Sequence, residues 1–361
     1  MHRPDQALNQ DLVRIAAEEA WAPPDLLARY RKLLEEKPAA WDPGFRSLWG
    51  FFSGATPRAT QLVARIQDMG AQRIADMDAT GIAKQLILLT SPGVQVFDAP
   101  TAAALSRDYN DELLSNMKRY PGRYAGLAAI APHAPGEAVK ELQRSIGLGM
   151  KGAVVNDHTQ GEYLDEPKFW PLFEACEALD VPLYIHPNTP PAAMIAPFLP
   201  RGLDGAIYGF AVETGLHLLR IIVAGVFDRF PKLRIVVGHL GEGLPFWLFR
   251  LDFMHASMIR AQRYPGAKPL KKKPSDYLKE NVWVTTSGMQ WAPAIRFAQQ
   301  VLGIERVLYA MDYPYQASAD EVAAYDAMDM PAEHRKMLMQ TNAEQVFRLP
   351  AAGANGQGSD P

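Results

Sequence analysis

A single cysteine stands among the 361 residues, so no internal disulfide can form, and a reducing compartment such as the cytoplasm is the natural setting. Long apolar runs are also missing: nothing approaches the ~20 consecutive apolar residues of a membrane-crossing helix. Neither charge sign dominates. With 37 Lys and Arg against 40 Asp and Glu, the net charge is −3, and there is no case for the basic face that nucleic-acid binding demands. The Lys271–Lys273 run lies between prolines and reads as a solvated loop. The segment Met1–Gln10 is polar, carries both charge signs and does not read as a secretory signal. Residues Pro350–Pro361, rich in Gly, Ala and Pro, read as a disordered tail. No Gly-rich phosphate loop follows the first apolar run, which argues against an open dinucleotide-binding sheet.

What is present is the composition of a large core, 48% hydrophobic and 21% charged. Strand-like apolar runs fall at Val13–Ala17, Gln85–Leu89, Tyr124–Ile130, Gly152–Val155, Pro182–Ile185, Arg234–Gly238, Val282–Thr285 and Val307–Met311. Between them lie amphipathic stretches, among them Thr60–Met77, Ala102–Lys118, Pro135–Ser145, Phe169–Leu179 and Leu216–Phe227. Cys176 sits inside one of these and reads as core. Strands alternating with helices predict parallel pairing through right-handed crossovers, closing into one α/β (β/α)8 TIM barrel over residues 1–349. The connections Trp21–Ser53 and Asn188–Phe210 are too long for plain loops, and predict lid-like insertions after strands one and five. Both leave C-terminal strand ends, the face where barrel active sites are built.

The residues just past the strands carry the chemistry. Strand one ends in Glu18-Glu19, strand five in His186-Pro187, strand six in Gly238-His239-Leu240-Gly241-Glu242 and strand eight in Met311-Asp312-Tyr313-Pro314. Taken singly, each has an ordinary reading. A Gly-His turn more often holds a hydrogen-bonded structural histidine, and Asp312 before Tyr-Pro can cap a turn. Jointly, carboxylates and imidazoles around one rim point to a divalent-metal site. His217, at a helix start, suits a core or supporting role, while His133 and His158 are candidate pocket residues.

Tyr184-Ile185-His186-Pro187, Val237–Glu242 and Tyr309–Pro314 together resemble the decarboxylase branch of the amidohydrolase superfamily. That branch includes γ-resorcylate, 2,3-dihydroxybenzoate and aminocarboxymuconate-semialdehyde decarboxylases. Longer stretches, among them Ile15–Trp21, Ser47–Phe51, Arg73–Gly81 and Thr90–Gln95, are similar to its 5-carboxyvanillate subgroup. Most of the branch has Glu-x-His on the first strand; Ala20 stands at that second position here, as it does in the subgroup.

The resemblance implies a metal-dependent carboxy-lyase that removes CO2 from an ortho-hydroxybenzoate, 5-carboxyvanillate giving vanillate in lignin-derived aromatic catabolism. It implies the metal ligands Glu18, His186 and Asp312, with His239 a proton-relay residue oriented by Glu242, and a homodimer or homotetramer. Two carboxylates and one imidazole suit six-coordinate Mn2+ better than Zn2+. Asp312 is then the proton carrier. The carboxylate retained on the product calls for a cationic anchor, and Arg58 and Arg250 are the candidates. Tyr315 is placed to hydrogen-bond the substrate, and Phe210 and Trp21 to wall it. Another hydroxybenzoate as substrate, or a metal-dependent hydrolase on the same barrel, are the alternative readings.

Overall fold

The computed structural model describes residues 12–38 and 41–350; the expectations for residues 1–10 and for the tail past 350 lie outside the described residues. The strands are β1 (Arg14–Trp21), β2 (Ile82–Leu89), β3 (Tyr124–Gly126), β4 (Ala128–Ala129), β5 (Ala153–Asn156), β6 (Leu183–His186), β7 (Ile235–Val237), β8 (Val282–Thr285) and β9 (Val307–Leu308). Consecutive strands pair in parallel, save β3 with β4, in the orders β1-β2-β3 and β4-β5-β6-β7-β8-β9. Strands β3 and β4 are one stave interrupted at Leu127, whose N–H still bonds Ile87 O at 2.9 Å. The ring closes where Ala17 N reaches Tyr309 O at 2.9 Å and Ala20 N reaches Tyr313 O at 2.8 Å. The eight-stave barrel expected from the strand pattern is therefore present.

Side-chain alternation along the staves builds two layers of core. Ile15, Ala17, Leu86, Leu88, Val154, Tyr184 and Val236 point into the barrel, where Val346 and Phe347 from the C-terminal helix plug it. Ala16, Ile87, Leu89, Val155, Ile185 and Val237 face the surrounding helices. No helix among the described residues is long and apolar enough to cross a membrane.

Several expectations need correction. The insertion expected over Trp21–Ser53 folds into the helices Pro24–Glu36 and Pro43–Phe52, and Pro57–Gln67 follows it, each opened by a proline in its first turn. Asp42 and Thr56 cap the latter two through their side chains. The expected helix Thr60–Met77 is two, Pro57–Gln67 and Ala71–Ala79. Asp68 breaks it by accepting the Gly70 and Arg73 N–H groups on Oδ1. Gly225, at φ 80°, likewise ends the helix Gly209–Val223 before Val226–Arg229 begins. The second insertion forms a short 3-10 turn, Leu199–Arg201.

Candidate active site

Strand β1 shifts register against β2 between Ala16 and Glu19, so an extra residue is bulged where the two glutamates stand. Bulges re-aim side chains, and here the two carboxylates go to different partners. Glu18 turns into the barrel mouth. Its Oε2 accepts from the Tyr184 and Ser287 hydroxyls and from Thr285 Oγ1 at 2.5 Å. Its Oε1 is buried without a hydrogen-bond partner and lies 3.7 Å from His186 Nε2. A Cβ on residue 238 would fall 2.9 Å from Glu18 Oε2, so the glycine before His239 is required by the close approach of this carboxylate.

Burial raises the Glu18 pKa, but His239, His186 and the Ser287 and Thr285 hydroxyls outweigh it, and the net shift is downward. Burial pushes His186 down to about 4, so its imidazole is neutral and has a lone pair to offer. An anionic oxygen with no partner and a neutral imidazole nitrogen fit a divalent cation. As the side chains stand, no three His, Cys, Asp or Glu among the described residues converge as a metal cluster. The expected ligand triad is thus a two-donor half-site, with Asp312 in the wall of the same cavity.

Glu19 is the other product of the bulge. Its Oε1 accepts from Met311 N and its Oε2 from Tyr313 N, both at 2.9 Å, so it brackets Asp312. Burial lifts Glu19 to about 8, against the opposing pull of those two N–H groups and Arg73. Asp312 has φ 70°, a left-handed backbone that non-glycine residues seldom adopt. Burial raises its pKa well above the ordinary value; His239 opposes this, while the carboxylates of Glu18, Glu19 and Glu242 add to it.

The stretch His239–Gly243 is a run of left-handed residues rather than a helical step, with φ between 50° and 79°. That turn folds Glu242 back on His239, placing Oε1 2.7 Å from Nδ1. Burial disfavours the imidazolium, but Glu242, Glu18 and Asp312 outweigh it and hold His239 up at about 10.

His186, His239 and Asp312 share a cavity of about 220 Å³ with Arg58, Phe210 and Tyr315. The volume is below the ~300–1,000 Å³ of drug-sized pockets and suits a single substituted ring. Tyr315 and Thr90 hydroxyls meet at 2.9 Å on its wall. Trp21 does not reach the cavity: it is buried in the core, and Phe51 and Phe52 wall that side instead. Arg250 is also elsewhere. It projects from the outward helix Leu248–Arg260 into a separate groove that Glu242 lines from the inside. His158 and His133 hydrogen-bond the Thr189 and Phe97 carbonyls at the rim, outside the cavity. His217 is core, pairing Asp157 at 2.7 Å and accepting Leu164 N.

From the residues alone Glu18 and Glu19 were interchangeable, and only the resemblance singled out Glu18. Thr286-Ser287-Gly288 was read as the end of strand seven, but the Tyr184, Thr285 and Ser287 hydroxyls were given no role on Glu18.

The chain belongs to the amidohydrolase family, whose model matches residues 56–349. Among solved structures, it is 52% identical to a 5-carboxyvanillate decarboxylase of Novosphingobium aromaticivorans complexed with manganese and 4-hydroxy-3-methoxy-5-nitrobenzoic acid. That match has a TM-score of 0.92 and covers 94% of this chain and 97% of the other. A dihydroxybenzoic acid decarboxylase of Polaromonas sp. with bound manganese and 2-nitroresorcinol is 30% identical, TM-score 0.82, over 93% and 97% of the two chains. A gamma-resorcylate decarboxylase of a Rhizobium strain is 33% identical over 81% of this chain and 91% of its own length.

Proposed function

We propose that this chain is a Mn2+-dependent carboxy-lyase that converts 5-carboxyvanillate to vanillate and CO2. The observation that carries the reading is the half-site of Glu18 Oε1 and neutral His186, the latter lining one small cavity with Asp312 and Arg58. The named relatives that decarboxylate hydroxybenzoates, two of them with manganese, support it.

Glu18 and His186, with Asp312 in the wall of the same cavity, would hold the cation, which when bound would supply positive charge to the anionic substrate. Arg58, lining the cavity, takes the carboxylate that remains on the product. Phe52, Phe210 and Tyr315 confine the ring so that the carbon bearing the leaving carboxylate faces Asp312. The proton on Asp312 Oδ moves to that carbon, the bond to the carboxylate breaks, and its electron pair returns to the ring as CO2 departs. His239, held by Glu242, keeps a proton beside Asp312 with which to recharge it.

The chain acts as a homo-oligomer in a reducing cytoplasm. The helix Leu248–Arg260 has no buried residue, and its Phe249 and Phe253 rings stack at 6.2 Å while facing outward, an apolar face that a second copy would cover.

The test is a decarboxylation screen of substituted salicylates with the Mn2+-loaded protein, following CO2 and product, with lactones and amides as hydrolysis controls. Release of vanillate from 5-carboxyvanillate above all other salicylates is expected. Hydrolysis without CO2 release would replace this reading with a metal-dependent hydrolase.

A further inference from the structure

We infer that Glu19 is the positioning residue for Asp312, acting as a carboxylate clamp on the two amides that flank it. The reasoning starts from the seam where the barrel closes. Backbone bonds join β1 to the last stave at Ala17–Tyr309 and again at Ala20–Tyr313. Between those points, the N–H groups of Met311 and Tyr313 take no backbone acceptor; both go to the Glu19 side chain at 2.9 Å. The ladder is therefore completed by a side chain over the three residues whose middle member is Asp312.

This arrangement has a chemical consequence that a regular ladder lacks. An unbroken strand would hold Asp312 extended. Binding both flanking amides to one carboxylate instead draws them towards a common point, and Asp312 between them takes a left-handed backbone with φ 70°. Its side chain thereby lines the cavity with His186 and His239.

Arg73 reinforces the same seam. It is fully buried, donates to Ala20 O on β1, and lies over the Tyr313 ring at 4.5 Å, tying together the residues next to Glu19 and Asp312. Both Glu19 oxygens are committed to backbone N–H groups, which leaves Glu18 as the glutamate free to meet a cation. The adjacent glutamates thus divide the work, one facing the metal and the other shaping the turn that presents Asp312.

The inference rests on the reading of Asp312 as a metal ligand and acid, and the test separates the two. Glu19→Gln keeps the shape but sets an NH2 group against one of the two amides. With metal saturated, kcat is expected to fall about 100-fold with KM within about threefold, and Mn2+ affinity to fall about tenfold. In an Asp312→Asn background, the same substitution should change Mn2+ affinity by less than about twofold, because its route of action is already gone. Equal losses in both backgrounds, or wild-type kcat and affinity in Glu19→Gln, would overturn the clamp.

Wild-type protein gives a second arm that needs no variant. The Met311 and Tyr313 amides are expected to exchange with deuterium as slowly as those of the barrel strands, and exchange at loop rates overturns the clamp. If the wild type binds Mn2+ but decarboxylates nothing, the functional reading fails, while affinity and exchange still decide the role of Glu19.

Discussion

His186 Nε2 stands 3.7 Å from Glu18 Oε1, the one oxygen of that carboxylate that no hydroxyl occupies. Three hydroxyls aim the carboxylate and leave a single lone-pair face for a cation. His186→Ala and Glu18→Gln are therefore expected to copurify without Mn2+ and to lose nearly all decarboxylation. Ser287→Ala removes one of the aiming hydroxyls and should weaken Mn2+ by about 10- to 100-fold, as loss of a residue behind a ligand does. Titration of the apoproteins with Mn2+ checks both; full occupancy in His186→Ala would remove the site as drawn.

Asp312→Asn keeps the shape of the side chain but carries no transferable proton. With metal saturated, kcat should drop about 10²–10⁴-fold, the range of general acid catalysis. In wild type, solvent deuterium should appear at the ring carbon that lost its carboxylate. A near-normal kcat in the metal-saturated variant would pass the role of acid to His239.

Arg58 lines the cavity from the inserted helix Pro57–Gln67. Arg58→Met should raise KM for 5-carboxyvanillate by about 10- to 100-fold, the ~1.5–3 kcal/mol of a hydrogen bond to a charged group. A monoacid salicylate should change far less. Equal shifts for both compounds would take Arg58 out of substrate recognition.

Glu213 offers a pH test remote from the cavity. It is buried beside Asp157 and Tyr163, and burial with the Asp157 charge lifts it to about 9 from an ordinary 4.5. The folded state then holds its proton more tightly than the unfolded chain. Its contribution to stability is complete below about pH 4.5 and is lost as pH rises towards 9. Glu213→Gln removes this loss. Its free energy of unfolding should match wild type near pH 4.5 and exceed it increasingly up to about pH 9, by as much as a few kcal/mol. A constant difference across that range would show that Glu213 does not titrate in this window.

The barrel was legible because each stave alternates in and out, and an inward Ile15 or Leu86 is as apolar as its outward neighbour Ala16 or Ile87. The last stave was overestimated. Val307–Met311 reads as one strand, yet its ladder with β8 stops at Leu308: Tyr309 N turns to Leu338 O, Ala310 N to Thr286 Oγ1 and Met311 N to Glu19. A side chain some 290 residues away in sequence leaves no local trace. Tertiary contact also decided against Trp21 and Arg250, whose residue types suited the ring and its carboxylate. Trp21 lies below the rim in the core, and Arg250 faces the outer groove. His186, His239, Glu242 and Asp312 were readable because the first ends a strand and the others stand within five residues of one, and strand ends converge whatever lies between them.

The cavity has walls of two origins. His186, His239 and Asp312 rise from the ends of the staves, whereas Phe51, Phe52, Arg58 and Leu62 come from helices inserted after β1. Reactivity and fit are therefore encoded in separable segments. On the proposed function, substituting the inserted helices is expected to exchange one aromatic acid for another while the strand-end residues stay in place. Randomising Leu48, Phe51, Phe52, Arg58 and Leu62 defines a compact library for new ring substituents, and the rigid staves beneath give each variant the same chemical starting point.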